Sequence, residues 1–239
     1  MRAFALVQHT LSTIVLFIGM AIWGLAATPG IATILWTWEA TIDAELWYRS
    51  VALALSGGVA YLLWGMTTIY SIGLFSTIIR PRLPAERVPL KSLTTIRWAA
   101  LAVLHRLATP FLTQLVPSWL GNLYFQMMGC NIGKGVQINT TVVNDCFMVS
   151  IGDGTVIGGG AAINGHLVEK GELVLAPVNI GAGCVIGANV FVSPGCKIGD
   201  SAVIGARALL PKYTEVPPGE VWVGIPAKCI RKADGTRAE

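Results

Sequence analysis

An aliphatic side chain recurs at every sixth position late in the chain, at Ile180, Ile186, Val192, Ile198, Ile204, Leu210 and Val216. Neither the roughly 3.6-residue period of a helix nor the roughly two-residue period of a strand produces this spacing. A triangular solenoid does, with one short strand per side, one large aliphatic side chain pointing inward from each, and a small residue at the turns. Glycine follows directly at Gly181, Gly187, Gly199 and Gly205, and the residues two places before each aliphatic are Val178, Cys184, Val190, Cys196, Ala202, Ala208 and Thr214, all small enough to share a narrow interior. The same signature starts at Ile132-Gly133 and Ile138-Asn139, and it resumes at Ile151-Gly152, Ile157-Gly158 and Ile163-Asn164 after a register slip near Asp145. It breaks again at residues 166–172, the most polar piece of the region, before Pro177-Val178-Asn179-Ile180-Gly181 restarts it. An excursion from stacked coils marks a place where the chain serves a local purpose.

The first part of the chain follows a different rule. No Asp, Glu, Lys or Arg occurs from Ala3 to Trp38, nor from Ser50 to Ile79. Each run exceeds the roughly 20 residues needed to cross a bilayer, and the first lacks the small-residue cleavage site and polar continuation of a signal peptide. Two transmembrane helices are predicted, near residues 11–27 and 51–78. Glu39, Asp43 and Glu45 lie between them, whereas Arg80, Arg82, Arg87 and Lys91 follow the second, which places both termini and everything after residue 80 in the cytoplasm. Trp36, Trp38, Trp47 and Tyr48 gather where interfacial rings are favoured, Gly57-Gly58 and Gly65 offer close helix contact, and His9 reads as a headgroup-level residue.

Pro81, Pro84 and Pro89 predict an extended link. From Val88 to Asn144 there is no acidic residue, while Lys91, Arg97, Arg106 and Lys134 are basic, a pattern suited to an anionic membrane surface with Trp98, Phe111, Trp119, Tyr124 and Phe125 supplying apolar contact. Residues 107–128 are uncharged, but Pro110, Pro117, Gln114, Asn122 and Gln126 argue for an interfacial helix or helix pair over a third crossing. His105 reads as a surface residue of this stretch. The predicted organisation is a two-helix transmembrane anchor (1–80), a basic interfacial connector (81–130), a β-helix domain of about five coils (131–227) and a basic tail (228–239).

Composition agrees: 54% hydrophobic and 13% charged residues are too apolar for a soluble chain of 239 residues, and the excess sits in the first 80. A net charge of +4, collected beside apolar segments, points to membrane lipids and not to nucleic acid. The five cysteines show neither zinc-type spacing nor disulfide-scaffold density, and Cys184 and Cys196 fall on the small inward positions as buried thiols.

On the repeat and on the tail Val223-Gly224-Ile225-Pro226-Ala227-Lys228-Cys229-Ile230-Arg231, the sequence resembles the hexapeptide-repeat left-handed β-helix acyltransferase family. A narrower resemblance, over roughly residues 97–227, is to the membrane-attached hexapeptide region at the end of nonribosomal-peptide-synthetase-like proteins; it rests on the basic connector, Gly129-Cys130-Asn131-Ile132-Gly133 and the stretch from His166 to Gly181. The resemblance implies left-handed coiling against the usual right-handed rule, a homotrimer with active sites shared between subunits, and acyl-CoA, acetyl-CoA above all, as co-substrate with no metal. It also implies a catalytic histidine near an Asn-containing turn upstream of the Pro-Val-x-Ile-Gly restart, which is His166 of Asn164-Gly165-His166. Carried over in the same way, Gly187, Ala188, Gly205 and Ala206 approach the pantetheine arm, and Lys212, Lys228 and Arg231 meet the phosphates.

The residues support that chemistry independently in one respect: His166 is the only histidine of the repeat domain, and histidine has the pKa to take a proton from an attacking hydroxyl or amine at neutral pH. Glu169 and Glu172 are candidates to orient it. The acceptor implied is membrane-associated, such as a lipid-linked sugar. Two rivals stand beside this reading. A carbonic anhydrase on the same fold needs three histidine ligands, which one domain histidine per chain does not supply in the usual way. A non-catalytic trimeric scaffold, or an accessory subunit of a larger membrane assembly, fits the Ala182-Gly183-Cys184-Val185 segment, where many of the family's acetyltransferases carry a tryptophan.

Overall fold

The computed structural model describes residues 2–79 and 85–238. Arg80, Pro81, Arg82 and Pro84 lie outside the described residues, as does the side chain of His9. The chain forms two compact units, one of Met1–Ile72 with Val103–Phe111 and one of Gly73–Ala102 with Leu112–Glu239.

The first unit is helical. Helix α1 (Arg2–Ala26) is followed by α2 (Thr28–Ala40) and, after a short turn, by α3 (Leu46–Ile79). The first apolar run is therefore not the single helix expected near 11–27; it continues to Ala40 across a bend of 40° between Phe17–Ala26 and Thr28–Ala40. Pro29 accounts for the break, because it brings no N–H to the helix and its ring crowds the preceding turn. By length and apolarity, α3 qualifies as a membrane span over Leu46–Thr77, and the bent pair qualifies if it is taken as one. Phe17, Leu25, Leu55 and Leu62 stand exposed on these helices, as do Trp36, Trp38, Trp47 and Tyr48, and the Arg49 guanidinium lies 3.9 Å from the centre of the Trp38 ring. Of the glycines expected to allow close approach, Gly65 does so and Gly57 and Gly58 do not, while Gly30 is a further close contact. A Cβ at Gly57 or Gly58 would meet nothing within 4 Å, whereas one at Gly30 would fall 2.6 Å from the Ala60 carbonyl oxygen and one at Gly65 3.0 Å from the Phe111 ring.

The uncharged stretch 107–128 is not one helix. Helix α4 (Leu93–Leu112) ends just after Pro110, and α5 (Trp119–Met127) starts anew with the Ser118 hydroxyl accepting the Gly121 N–H at 3.2 Å. Leu101, Leu104, Ala108, Phe111 and Leu112 form the buried stripe of α4 at helical spacing. His105 falls on that stripe and is buried, so the surface reading does not hold.

The second unit contains the left-handed parallel β-helix. One face stacks Asn131–Ile132, Val149–Ile151, Val178–Ile180, Lys197–Ile198 and Glu215–Val216. The next face stacks Gln137–Ile138, Val156–Ile157, Val185–Ile186, Val203–Ile204 and Val221–Gly224, and the third stacks Val143–Asn144, Ala162–Asn164, Phe191–Val192 and Leu209–Leu210. Strands pair parallel and in register, so Ile138, Ile157, Ile186 and Ile204 form one inward ladder and Val143, Ile163, Val192 and Leu210 another, all fully buried. Val178, Cys184, Val190, Cys196, Ala202 and Ala208 fill the space between ladders, and Thr214 is half-buried. The glycines after the aliphatics answer to coil stacking: a Cβ at Gly152 would lie 2.5 Å from the Ala182 nitrogen of the next coil.

Two departures position the site. Strands His166–Glu169 and Glu172–Leu175 leave the solenoid as a hairpin, whose turn residues Lys170 and Gly171 both have positive φ (51° and 81°), the geometry that matches strand twist in a two-residue loop. Residues Arg87–Pro89, expected to be a plain extended link, add a third antiparallel strand to its outer edge. At the other end, Ala227–Arg231 pairs antiparallel with Val221–Gly224, so a boundary at 227/228 falls inside a hairpin.

Candidate active site

The register slip near Asp145 has a definite geometry. After Val143–Asn144 the chain turns through Asp145 with φ 60° and a short 3-10 turn, Cys146–Met148, before rejoining the stack at Val149. Aspartate tolerates this left-handed conformation better than most residues because its short side chain bonds locally. One coil later, Asn164-Gly165-His166 passes above it. The Asn144 amide donates to Asn164 Oδ1 at 2.8 Å and fixes the stack of the two coils, while a Cβ at Gly165 would lie 2.7 Å from Met148 Cβ and 3.0 Å from Asp145 Cβ. Only glycine lets the chain pass this close.

The result is a hydrogen-bonded pair. Asp145 Oδ2 stands 2.5 Å from His166 Nδ1 and accepts the Gly165 N–H at 3.1 Å, and Oδ1 accepts the Trp98 Nε1–H at 2.7 Å. The Asp145 side chain is 3% exposed and that of His166 is 26% exposed. A carboxylate facing Nδ1 makes that nitrogen the protonated one and leaves the Nε2 lone pair as the free base. The Trp98 ring centre lies 4.5 Å from that of His166 at 56°, and Trp98 also packs with Val88 and Phe147 on buried Met148, Leu173 and Leu175.

The family described as "Bacterial transferase hexapeptide (six repeats)" matches residues 177–212. Galactoside O-acetyltransferase of Escherichia coli is 33% identical over 126 residues, 48% of this chain and 61% of that protein. The delta-poly-L-ornithine synthetase of Acinetobacter baumannii is 30% identical over 150 residues, 63% of this chain but only 11% of that much longer protein. YvoF of Bacillus subtilis, named as a candidate acetyltransferase, is 34% identical over 125 residues, 51% of this chain and 69% of that protein. The chain belongs to the hexapeptide-repeat transferase family. It spans about three fifths of the galactoside enzyme's length, 61%.

In this hexapeptide-repeat protein the residues assigned to the acyl donor divide into two groups. Gly187, Ala188, Gly205 and Ala206 lie on one corner of the prism: a Cβ at Gly158 would meet the Ala188 nitrogen at 2.6 Å, one at Gly187 the Ala206 nitrogen at 2.5 Å, and one at Gly205 the Val223 side chain at 2.6 Å. Val223 pairs with Lys228, so this corner leads directly to the strand that carries Lys228 and Arg231, both exposed and without a carboxylate partner among the described residues. Small residues here serve the stacking of coils as well as any arm laid along them. Lys212 stands apart: its Nζ is held by Glu169 Oε2 at 2.5 Å.

Neither glutamate orients His166. Glu169 sits at the far end of the same strand, where it bridges Lys212 and Arg87 Nη2, both at 2.5 Å, and Glu172 lies 3.8 Å from Arg87 Nη1. Lys212 first, then Arg87, hold the Glu169 carboxyl below the usual carboxylate range. The sign follows: a depressed pKa stabilises the paired hairpin above the ordinary carboxylate range, and that contribution is lost as pH falls through the lowered value. Amide-exchange protection in residues 166–175, taken relative to the intrinsic rate at each pH, is expected to fall on acidification below about pH 4, near the ordinary carboxylate value, and Glu169→Gln is expected to remove the acid step.

The buried thiols are chemically quiet. Burial pushes the Cys130 thiol up to about 12 and raises Cys146 and Cys196 as well. Among the described residues no group of three or more His, Cys, Asp or Glu is placed to hold a metal ion.

Proposed function

We propose that this protein is a membrane-anchored acyltransferase that moves an acyl group, acetyl in the first instance, from acyl-CoA to a hydroxyl or amine of a membrane-associated acceptor. The observation that carries the proposal is the Asp145–His166 pair, which leaves Nε2 free at a partly exposed position. In the reaction, His166 Nε2 takes the proton of the acceptor hydroxyl or amine as its oxygen or nitrogen attacks the thioester carbonyl. The tetrahedral adduct then collapses, the C–S bond breaks, and the same proton passes from His166 to the departing CoA thiolate. Asp145 keeps the imidazole in the required tautomer and faces the imidazolium formed in between. The names of the galactoside and Bacillus relatives favour an acetyl donor, and the first of them a sugar hydroxyl as acceptor.

The anchor supports a membrane acceptor, because tethering raises the acceptor's effective concentration at the site. Apolar side chains exposed along α1 to α3 suit a lipid environment, and the excess of basic residues after α3 supports a cytoplasmic β-helix, on the side where acyl-CoA is available. A homotrimer completes the proposal. Val156, Val185, Val203 and Val221 stack in a column on the outside of one face, with Val156 and Val185 well exposed, an apolar strip that a neighbouring copy would cover.

Calorimetric titration with CoA and acetyl-CoA tests the donor. The parent is expected to bind in the micromolar range, about 8 kcal/mol, and Lys228→Ala and Arg231→Ala are each expected to weaken binding about five- to tenfold, a loss of about 1 kcal/mol. A well-folded trimer that binds neither ligand would sink the donor assignment and leave the scaffold reading.

A further inference from the structure

We propose that Trp98 is a positioning residue for the transfer, so that helix α4 belongs to the catalytic apparatus and is more than a linker between the anchor and the β-helix. The proposal rests on the acyl-transfer reading of His166. Asp145 has two oxygens with different duties: Oδ2 faces His166 Nδ1 and the Gly165 N–H, and Oδ1 receives the Trp98 Nε1–H at 2.7 Å. With the side chain 3% exposed, water is a poor substitute for a missing donor. Without the indole N–H, the carboxylate would rotate to share its oxygens among the remaining donors, and the direction of its bond to Nδ1 would no longer be unique.

Trp98 is itself held. Its ring packs with Val88 and Phe147 against buried Met148, Leu173 and Leu175, and its centre is 4.5 Å from the imidazole, which restricts rotation of His166 as well. The indole thus fixes the base twice, through the carboxylate and through the ring face. Precision of this kind matters because proton transfer and attack require the reacting atoms within a few tenths of an ångström of the productive geometry.

Trp98 comes from neither the solenoid nor the hairpin. It lies in the first half of α4 (Leu93–Leu112), and Val103–Phe111 of that same helix belongs to the helical unit. One continuous helix therefore supplies both a structural piece of the anchor and a donor to the Asp145–His166 pair. The β-helix carries the base, the carboxylate and the Gly165 N–H on Oδ2, but the donor to Oδ1 comes from α4, so the full orientation of the pair depends on α4 being in place.

Trp98→Phe in the whole chain, purified in lipid nanodiscs, keeps an aromatic ring but removes the N–H together with part of the indole, so the melting temperature is recorded beside it to separate orientation from packing. Two readouts are needed. The tautomer of His166 is read from imidazole nitrogen resonances of ¹⁵N-histidine-labelled protein, assigned with His166→Ala. Turnover is read as thiol release from acetyl-CoA with methyl β-galactoside or water as acceptor. In Trp98→Phe the Nδ1–H tautomer is expected to lose its dominance, and kcat is expected to fall about tenfold with KM for acetyl-CoA within about twofold and the melting temperature near the parent's. An unchanged tautomer in Trp98→Phe overturns the proposal, as does a loss of rate that only tracks a loss of thermal stability. If the parent and His166→Ala release thiol equally, the acyl-transfer reading fails separately; the tautomer then decides whether Trp98 orients the pair.

Discussion

Replacing His166 with alanine is expected to lower kcat for acyl transfer by about 10²- to 10⁴-fold while leaving CoA affinity and the melting temperature close to those of the parent. The reasoning is local. In the proposed mechanism Nε2 is the base, and the rival side chains among the described residues are engaged: Trp98 donates its indole N–H to Asp145, and Glu169, at the far end of the His166 strand, is taken by Arg87 and Lys212. The corner proposed for the acyl donor, Gly187 and Ala188 with Gly205 and Ala206, makes its close contacts with Gly158, Ile204 and Val223 and not with His166. Loss of the base should therefore appear in kcat and not in donor binding. A His166→Ala protein with parental turnover would remove the base from the mechanism, and one that lost CoA binding in parallel would assign His166 a structural role. Supplying imidazole in solution is expected to restore part of the rate, because the cavity left by the side chain opens to solvent at a position that is 26% exposed in the parent.

The fold was legible in the sequence because a solenoid repeats its own reasons. Ile186 is buried for the same cause as Ile157 and Ile204, so a period of six identifies the inward ladder without any knowledge of long-range contacts. The helical segment was legible only as far as composition reaches. Absence of charge located the apolar runs, but the bend at Pro29 and the choice of Gly30 over Gly57 as the close contact depend on which helix faces which. His105 was misread for a related cause: its place on the buried stripe of α4 follows from positions 101, 104, 108 and 112, which a view of the segment as a basic membrane-surface stretch does not weigh.

The site was half legible. His166 could be picked out because it is the one histidine of the domain and stands where the repeat breaks. Its partner does not follow from adjacency: Glu169 and Glu172 are near in sequence but lie at the far end of the hairpin. Asp145 is 21 residues away and meets His166 because one coil of the solenoid returns the chain to the same corner. The register slip at Asp145 was the available signal: a corner that breaks the six-residue rule one coil below another that breaks it is a pair worth joining. Trp98, 47 residues from Asp145 and outside the repeat, left no such trace.

Asp145→Asn is expected to produce the second large effect, a fall in kcat of about 10²- to 10⁴-fold, comparable with the loss from a misplaced tautomer in a serine protease triad. Asparagine tolerates the left-handed backbone at φ 60° and has the size of aspartate, so the coil should keep its turn. It cannot serve the same neighbours. The site presents three donors to one carboxylate, from Trp98 Nε1, Gly165 N and His166 Nδ1, and an amide offers one accepting oxygen with a donating NH₂ in the other place. If the amide oxygen stays with the indole, the NH₂ faces the imidazole, which is then stabilised with its proton on Nε2 and cannot act as base. Asp145→Ala would differ in kind: it leaves all three donors unpaired at a buried position and is expected to destabilise the β-helix by about 2–4 kcal/mol as well. The double variant Asp145→Asn with His166→Ala separates the alternatives. If the two residues act as one unit, it loses little more activity than His166→Ala alone; if the losses multiply, Asp145 serves catalysis by some route other than the orientation of His166.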